Sequence, residues 1–289
     1  MKQRIIAILI LAPFMFGSNV SKLYAKEKAL KLQCEILVAA SGGDYTSIQE
    51  AIDSLNPDPE IPCTISVAAG TYTENILITK SNIHLKGSGS VRTILQPVSN
   101  SNDPVITIND RNGVKIAGIT IRDSFSVGVK SMNSSVTITE SRFIDNYTAI
   151  SLFDSDATIT KTVFDNNRRG GMGTLSCINS NLLFSDNTII DGEPVVIDSQ
   201  YGNKSTATIT RSTFFDVSPP IEINHSDSST RIIANEIFGE ESDRGIRSYG
   251  SVVISENTIE NYAQYAIYIV QGTAVIANNL LKGSEVGDG

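Results

Sequence analysis

The sequence predicts an all-β chain, a single-stranded right-handed parallel β-helix with an amphipathic helix as its N-terminal cap. Three observations predict it. First, a short segment recurs eight times between Val114 and Gly283, for example Val-Thr-Ile-Thr-Glu-Ser-Arg-Phe (136–143), Ala-Thr-Ile-Thr-Arg-Ser-Thr-Phe (207–214) and Val-Val-Ile-Ser-Glu-Asn-Thr-Ile (252–259). The sixth residue of each segment is a marker: Ile119, Ser141, Thr162, Asn187, Ser212, Asn235, Asn257 and Asn279, at spacings of 22, 21, 25, 25, 23, 22 and 22. A fixed period of that size means stacked identical units. Second, each unit holds short β-branched runs that alternate apolar and polar residues, broken by Gly, Asn, Asp or Ser. Third, no 3.6-residue pattern of helix length lies between the runs, which excludes the helix-containing solenoids. Coiling about one axis joins parallel strands without a helical crossover.

Equivalent residues of successive coils then stack about 4.8 Å apart. The marker column is read as inward, its Asn, Ser and Thr side chains hydrogen-bonding up and down the stack. A second inward pair closes each unit, as at Ile150/Leu152, Val195/Ile197, Ile221/Ile223 and Ile267/Ile269. Four residues after each marker comes a turn residue: Asp123, Asp145, Asn166, Asp191, Asp216, Gly239, Asn261 and Gly283. Asp, Asn and Gly are the residues that a bend with a left-handed position demands.

Taken in order, residues 1–25 read as a secretory signal. Lys2 and Arg4 precede Ile5 to Phe16, an apolar run of twelve, too short to span a bilayer. The β-helix is assigned to 34–289, with capped N-terminal coils at 36–96 and repeats at 114–283. Export permits disulfides. Cys34 and Cys63 each stand four residues before a Val-Ala-Ala, so parallel pairing of their strands would bring them together, and a Cys34–Cys63 bond is expected. Cys177 is left over and reads as a small buried apolar side chain. Between the two paired cysteines, Thr46-Ser-Ile-Gln looks like a capping box, with Thr46 as N-cap and Gln49 reaching back. Ile48, Ala51, Ile52 and Leu55 share one helical face, suited to covering the raw end of the sheets.

The stretch 36–96 carries a resemblance. Leu37 to Asp53, Ile65-Ser-Val-Ala-Ala-Gly-Thr-Tyr-Thr-Glu-Asn-Ile (65–76), Ile83-His-Leu-Lys-Gly-Ser-Gly (83–89) and Thr93-Ile-Leu (93–95) resemble the opening of pectin methylesterases and, more broadly, the pectate-lyase-like β-helix superfamily. That resemblance implies a capped β-helix and a pectin-like substrate. The catalytic motifs do not follow. The esterase segments Gly-x-Val-Asp-Phe-Ile-Phe-Gly, Gln-Asp and Gly-Arg-Pro-Trp are missing, and the chain has no Trp. The signatures of polygalacturonases, pectate lyases and alginate epimerases are missing as well.

Three places could hold chemistry. If Val195 and Ile197 point inward, Asp198 points out, followed coil by coil by Glu222 and Asn224, Arg247 and Tyr249, and Tyr268. Such a face suits a sugar chain, with rings on the aromatics and hydroxyls on the charged groups. Asp198 and Glu222 would be its acid–base pair if it were catalytic, with Arg247 beside them. The plain alternative is a solvated ladder with one cross-strand ion pair. The second place is the turn column, where Asp123 stacks on Asp145 and Asp191 on Asp216. Turn chemistry explains these residues, and calcium is the metal they could otherwise hold; no other cofactor is implied. The third is the loop 165–173, where Arg168 and Arg169 could meet a uronate carboxylate. His84 and His225 lie too many coils apart to share a site.

The formal net charge of −8, without a Lys/Arg-rich stripe, argues against a nucleic-acid partner. Once the signal is removed, no membrane segment is expected. Three functions remain open: an exported β-helix that binds polysaccharide without catalysis, a diverged pectinesterase- or lyase-type enzyme, and an assembly module that self-associates through its C-terminal coil.

Overall fold

The computed structural model describes residues 34–55, 61–99, 101–167, 173–225, 227–239, 244–262 and 264–283. The proposed signal (1–25), Arg168, Arg169 and the tail 284–289 lie outside them. Among the described residues the strands form three parallel sheets. Sheet A has eleven strands, from Cys34–Val38 to Ala274–Ala277; sheet B has ten, from Gly70–Thr73 to Leu280–Lys282; sheet C has nine, from Ile76–Ile78 to Tyr265–Ile269. The chain visits A, B and C in turn, so neighbours within a sheet come from successive coils. This is the parallel β-helix that the repeat predicts.

Register is set by the inward columns. On sheet A, Ile138, Ile159, Phe184, Ile209, Ile232 and Ile254 stack in line, all fully buried. Phe143, Phe164 and Phe214 enter from sheet B, where the coil between them carries the smaller Ile189. Phe184 of sheet A fills the space so left. The four rings run through the core with centroids 5.2, 5.7 and 6.4 Å apart. Burying each such side chain contributes roughly 1.5–3 kcal/mol.

Many of the described bends combine one left-handed residue with one buried polar side chain. At the A-to-B bend the left-handed residues include Glu140, Lys161, Asp186, Arg211 and Glu256. The marker follows each of them, and the marker column forms the expected ladder. The Thr162 N–H donates to Asn187 Oδ1 at 2.9 Å, the Ser212 N–H to Asn235 Oδ1 at 3.0 Å and the Asn235 N–H to Asn257 Oδ1 at 2.9 Å. At the B-to-C bend the turn column is left-handed at Asp123, Asp145, Asn166, Asp191, Asp216 and Asn261, as turn chemistry predicts. Two further ladders escaped the sequence reading: Asn146 with Asn167 at the B-to-C bend, and Ser134, Ser155, Ser180 and Ser205 at the C-to-A bend.

At the N-terminal end Cys34 pairs with Cys63 across sheet A and is disulfide-bonded to it, Cα–Cα 4.6 Å. The helix covers only Ile48–Asp53, and its capping differs from the expected box. Ser47, not Thr46, is the N-cap, its hydroxyl accepting from the Glu50 N–H. Glu74, from the following coil, takes the place expected of Gln49: its carboxylate accepts from the N–H groups of Ile48 and Gln49 at 2.9 and 3.0 Å. An ionised acceptor binds these free donors better than an amide would. Gln49 is thereby released to a different task. Its side-chain amide accepts from the Leu77 N–H at 2.8 Å and donates to the Leu77 carbonyl at 3.2 Å, as a neighbouring strand would at this edge of sheet C. Ile48, Ala51, Ile52 and Leu55 are all buried in the common core.

Candidate functional site

The outward side of sheet C is built by strands Val195–Asp198, Ile221–Ile223, Arg244–Ser248 and Tyr265–Ile269. Their register aligns Val196 with Glu222, Glu222 with Arg247, and Arg247 with Tyr268. Arg247 Nη1 donates to Glu222 Oε1 at 2.8 Å. Its Nη2 donates to the Tyr249 hydroxyl, and its guanidinium carbon stands 4.8 Å from the Tyr249 ring centroid. Four of the expected residues thus meet on one face, three of them in one network. Asn224 is exposed nearby, its N–H donating to the Ile197 carbonyl. Asp198 is placed differently. It lies level with Asn224, one coil away from Glu222 and two residues along the strand, and its Oδ1 accepts from the Ser199 N–H at 2.8 Å.

Two residues were missed. Tyr265 stacks on Tyr268 with ring centroids 4.8 Å apart and planes inclined by 17°; the two residues are 46% and 39% exposed. Arg244, Tyr265's partner across the ladder, is also exposed. Both escaped because simple alternation would turn them inward. Gly245 and Ile246 are buried in succession, which breaks the parity and brings Arg244 onto the side of Arg247. A Cβ on Gly245 would meet the Ala266 carbonyl oxygen at 2.0 Å, so only glycine fits there. The signal that could have revealed this is the small residue before the inward Ile or Val of several C strands: Gly128, Ala149, Gly245 and Ala266.

The turn-column carboxylates are engaged with protein groups. The Asn166 amide donates to Asp145, and Asp123 pairs with Arg122 at 3.2 Å. Among the described residues no three of His, Cys, Asp and Glu come together as metal ligands would. Cys177 is buried in sheet C, and burial pushes its thiol up to about 12. No helix among them is long and apolar enough to cross a membrane.

The family described as right handed beta helix region matches residues 67–214, just over half of the 289 residues. The chain belongs to this right-handed β-helix family. The β-helix is related in sequence to pectinesterases. It is 34% identical over 92 residues to a pectinesterase of Daucus carota, covering 30% of this chain and 29% of that one. With Probable pectinesterase 56 of Arabidopsis thaliana it shares 27% over 137 residues, covering 43% and 48%. The chain thus spans less than half the length of these relatives. An alginate lyase from Paenibacillus sp. str. FPU-7 has the same fold, with a TM-score of 0.60 at 13% identity over 86% of this chain and 98% of that one.

Proposed function

We propose that the protein is an exported β-helix that binds a polysaccharide, pectin-like or otherwise acidic, along the outward face of sheet C without cleaving it. The observation that carries this reading is the exposed Tyr265–Tyr268 stack beside the Glu222–Arg247–Tyr249 network. An aromatic surface next to fixed donors and acceptors receives a sugar ring and its hydroxyls together. Arg247 already serves Glu222 and Tyr249, so Arg244 is the cation suited to a uronate carboxylate. The pectinesterase relatives favour a glycan of this class. The missing esterase motifs, and the two-residue offset of Asp198 from Glu222, argue against catalysis at this face.

Affinity electrophoresis in polygalacturonate, pectin and alginate gels tests the proposal. Retardation of the wild type is expected, weakened about tenfold by Tyr268→Ala or Tyr265→Ala, a loss of about 1.4 kcal/mol. Absence of retardation in all three gels, or variants that migrate like wild type, would overturn it. Release of methanol or of unsaturated uronate would replace it with the enzyme reading.

A further inference from the structure

A second linear surface lies on sheet A. Thr137, Thr158, Leu183, Thr208 and Arg231 point outward in one column. They form the floor of an open groove of about 500 Å³ that runs across the strands, parallel to the solenoid axis. Four coil steps of about 4.8 Å make the column roughly 19 Å long. Among the described residues, the hydroxyls of Thr137, Thr158 and Thr208 make no internal hydrogen bond. Leu183, in the middle, is 41% exposed.

One wall of the groove is already in order. The Asn181 amide donates to Asp156 at 2.7 Å, and the Thr206 hydroxyl donates to Asn181 at 2.5 Å. Beyond this wall a second hollow of about 520 Å³ shares Asp156 and Asn181 and is lined by Asp110, Asn133, Asp154, Asn179 and Lys204. Together the two hollows present hydroxyls and amides, with Asp110, Asp154 and Asp156 against Lys204 and Arg231.

We infer that this groove binds a neutral, extended, β-1,4-linked hexose polymer along the axis of the solenoid. Three features select that ligand. Unengaged hydroxyls stand on three of the five coils, with the Asn181 amide on the wall beside them, and a β-1,4-linked pyranose chain advances one ring in about one coil step. The Thr methyls and Leu183 offer apolar contact to the C–H faces of the rings. Within the groove one carboxylate, Asp156, is set against one cation, Arg231, so the lining carries no net positive charge to hold a chain of uronates, which separates this ligand from the acidic glycan assigned to sheet C. The two faces belong to different sheets, so either inference stands if the other fails.

The test is affinity electrophoresis of the full chain in soluble glucomannan and hydroxyethyl cellulose. The wild type is expected to be retarded, and Leu183→Arg to weaken that retardation about tenfold. Thr208→Arg, also on the outer surface, is the second variant and decides the matter if Leu183→Arg does not fold. Tyr268→Ala should leave migration in neutral gels unchanged. The inference is overturned if neither polymer retards the wild type, if the folded arginine variants migrate like wild type, or if Tyr268→Ala abolishes the retardation.

Discussion

Asn257 illustrates what a single amide does at a bend. Its Nδ2 donates to the carbonyls of Ile232 and Ser255, each at 2.9 Å, and its Oδ1 accepts from the Asn235 N–H. Alanine there would leave the buried Asn235 N–H without its acceptor, at a cost of about 1–3 kcal/mol, and would take a donor from the Ile232 and Ser255 carbonyls, the second of which also accepts from the Ala234 N–H. Asn257→Ala should therefore lower the stability measured by urea titration by at least the upper part of that range, and Asn257→Ser should recover a portion, since Ser141 and Ser212 occupy the same column. Asp186 belongs to the other kind of bend residue, exposed and charged. The hydrogen bond from Arg211, at 2.8 Å, holds its carboxyl below the usual carboxylate range. Its contribution is complete above the ordinary Asp pKa and is lost as pH falls through the depressed one. Arg211→Ala should raise the midpoint of acid unfolding, and only slightly, because solvent screens an exposed pair. Cys177, by contrast, should resist a thiol reagent in native buffer and react once urea unfolds the chain, which a colorimetric thiol assay reads directly.

At the scale of elements, the N-terminal helix depends on a residue far from it in sequence. Glu74→Ala removes the acceptor of the Ile48 and Gln49 N–H groups and should cost about 1–2 kcal/mol, with faster amide exchange confined to Ile48 and its neighbours. Reducing the Cys34–Cys63 bond frees a loop with a sequence separation of 29 and should destabilise the chain by about 3–4 kcal/mol, as a calorimeter would show. The cysteines were legible because both head strands of the same composition. The helix face was legible for the same reason, periodicity. Its true cap was not, because Glu74 reaches it only after one further turn of the solenoid. The same limit applied at the candidate face. Glu222, Arg247 and Tyr268 could be aligned by counting, whereas Arg244 and Tyr265 depend on a local break in the pleat caused by Gly245.

For the whole molecule, each described coil pairs its strands with the coils before and after it, and contacts that reach further, such as the Tyr262 hydroxyl donating to the Val217 carbonyl two coils back, are few, so a defect in the middle weakens the stack there. Phe184 occupies such a place, between Phe164 and Phe214. Phe184→Ala should cost about 3–5 kcal/mol, and because the stack is one-dimensional it should also broaden the thermal transition as the two halves lose their coupling. The repeat made the architecture readable, since one period repeated many times over outweighs any single ambiguous residue. It hid the chemistry for the same reason: the positions that matter for binding are small departures from the period. The Gln49 amide that answers the N–H and carbonyl of Leu77 has a consequence of its own. A filament grows when an unpaired strand serves as template for the next, and here a side chain has already taken the template's hydrogen bonds. The first strand of sheet C is thereby closed at Leu77, and a second molecule that stacked here would have to displace Gln49 before sheet C could continue.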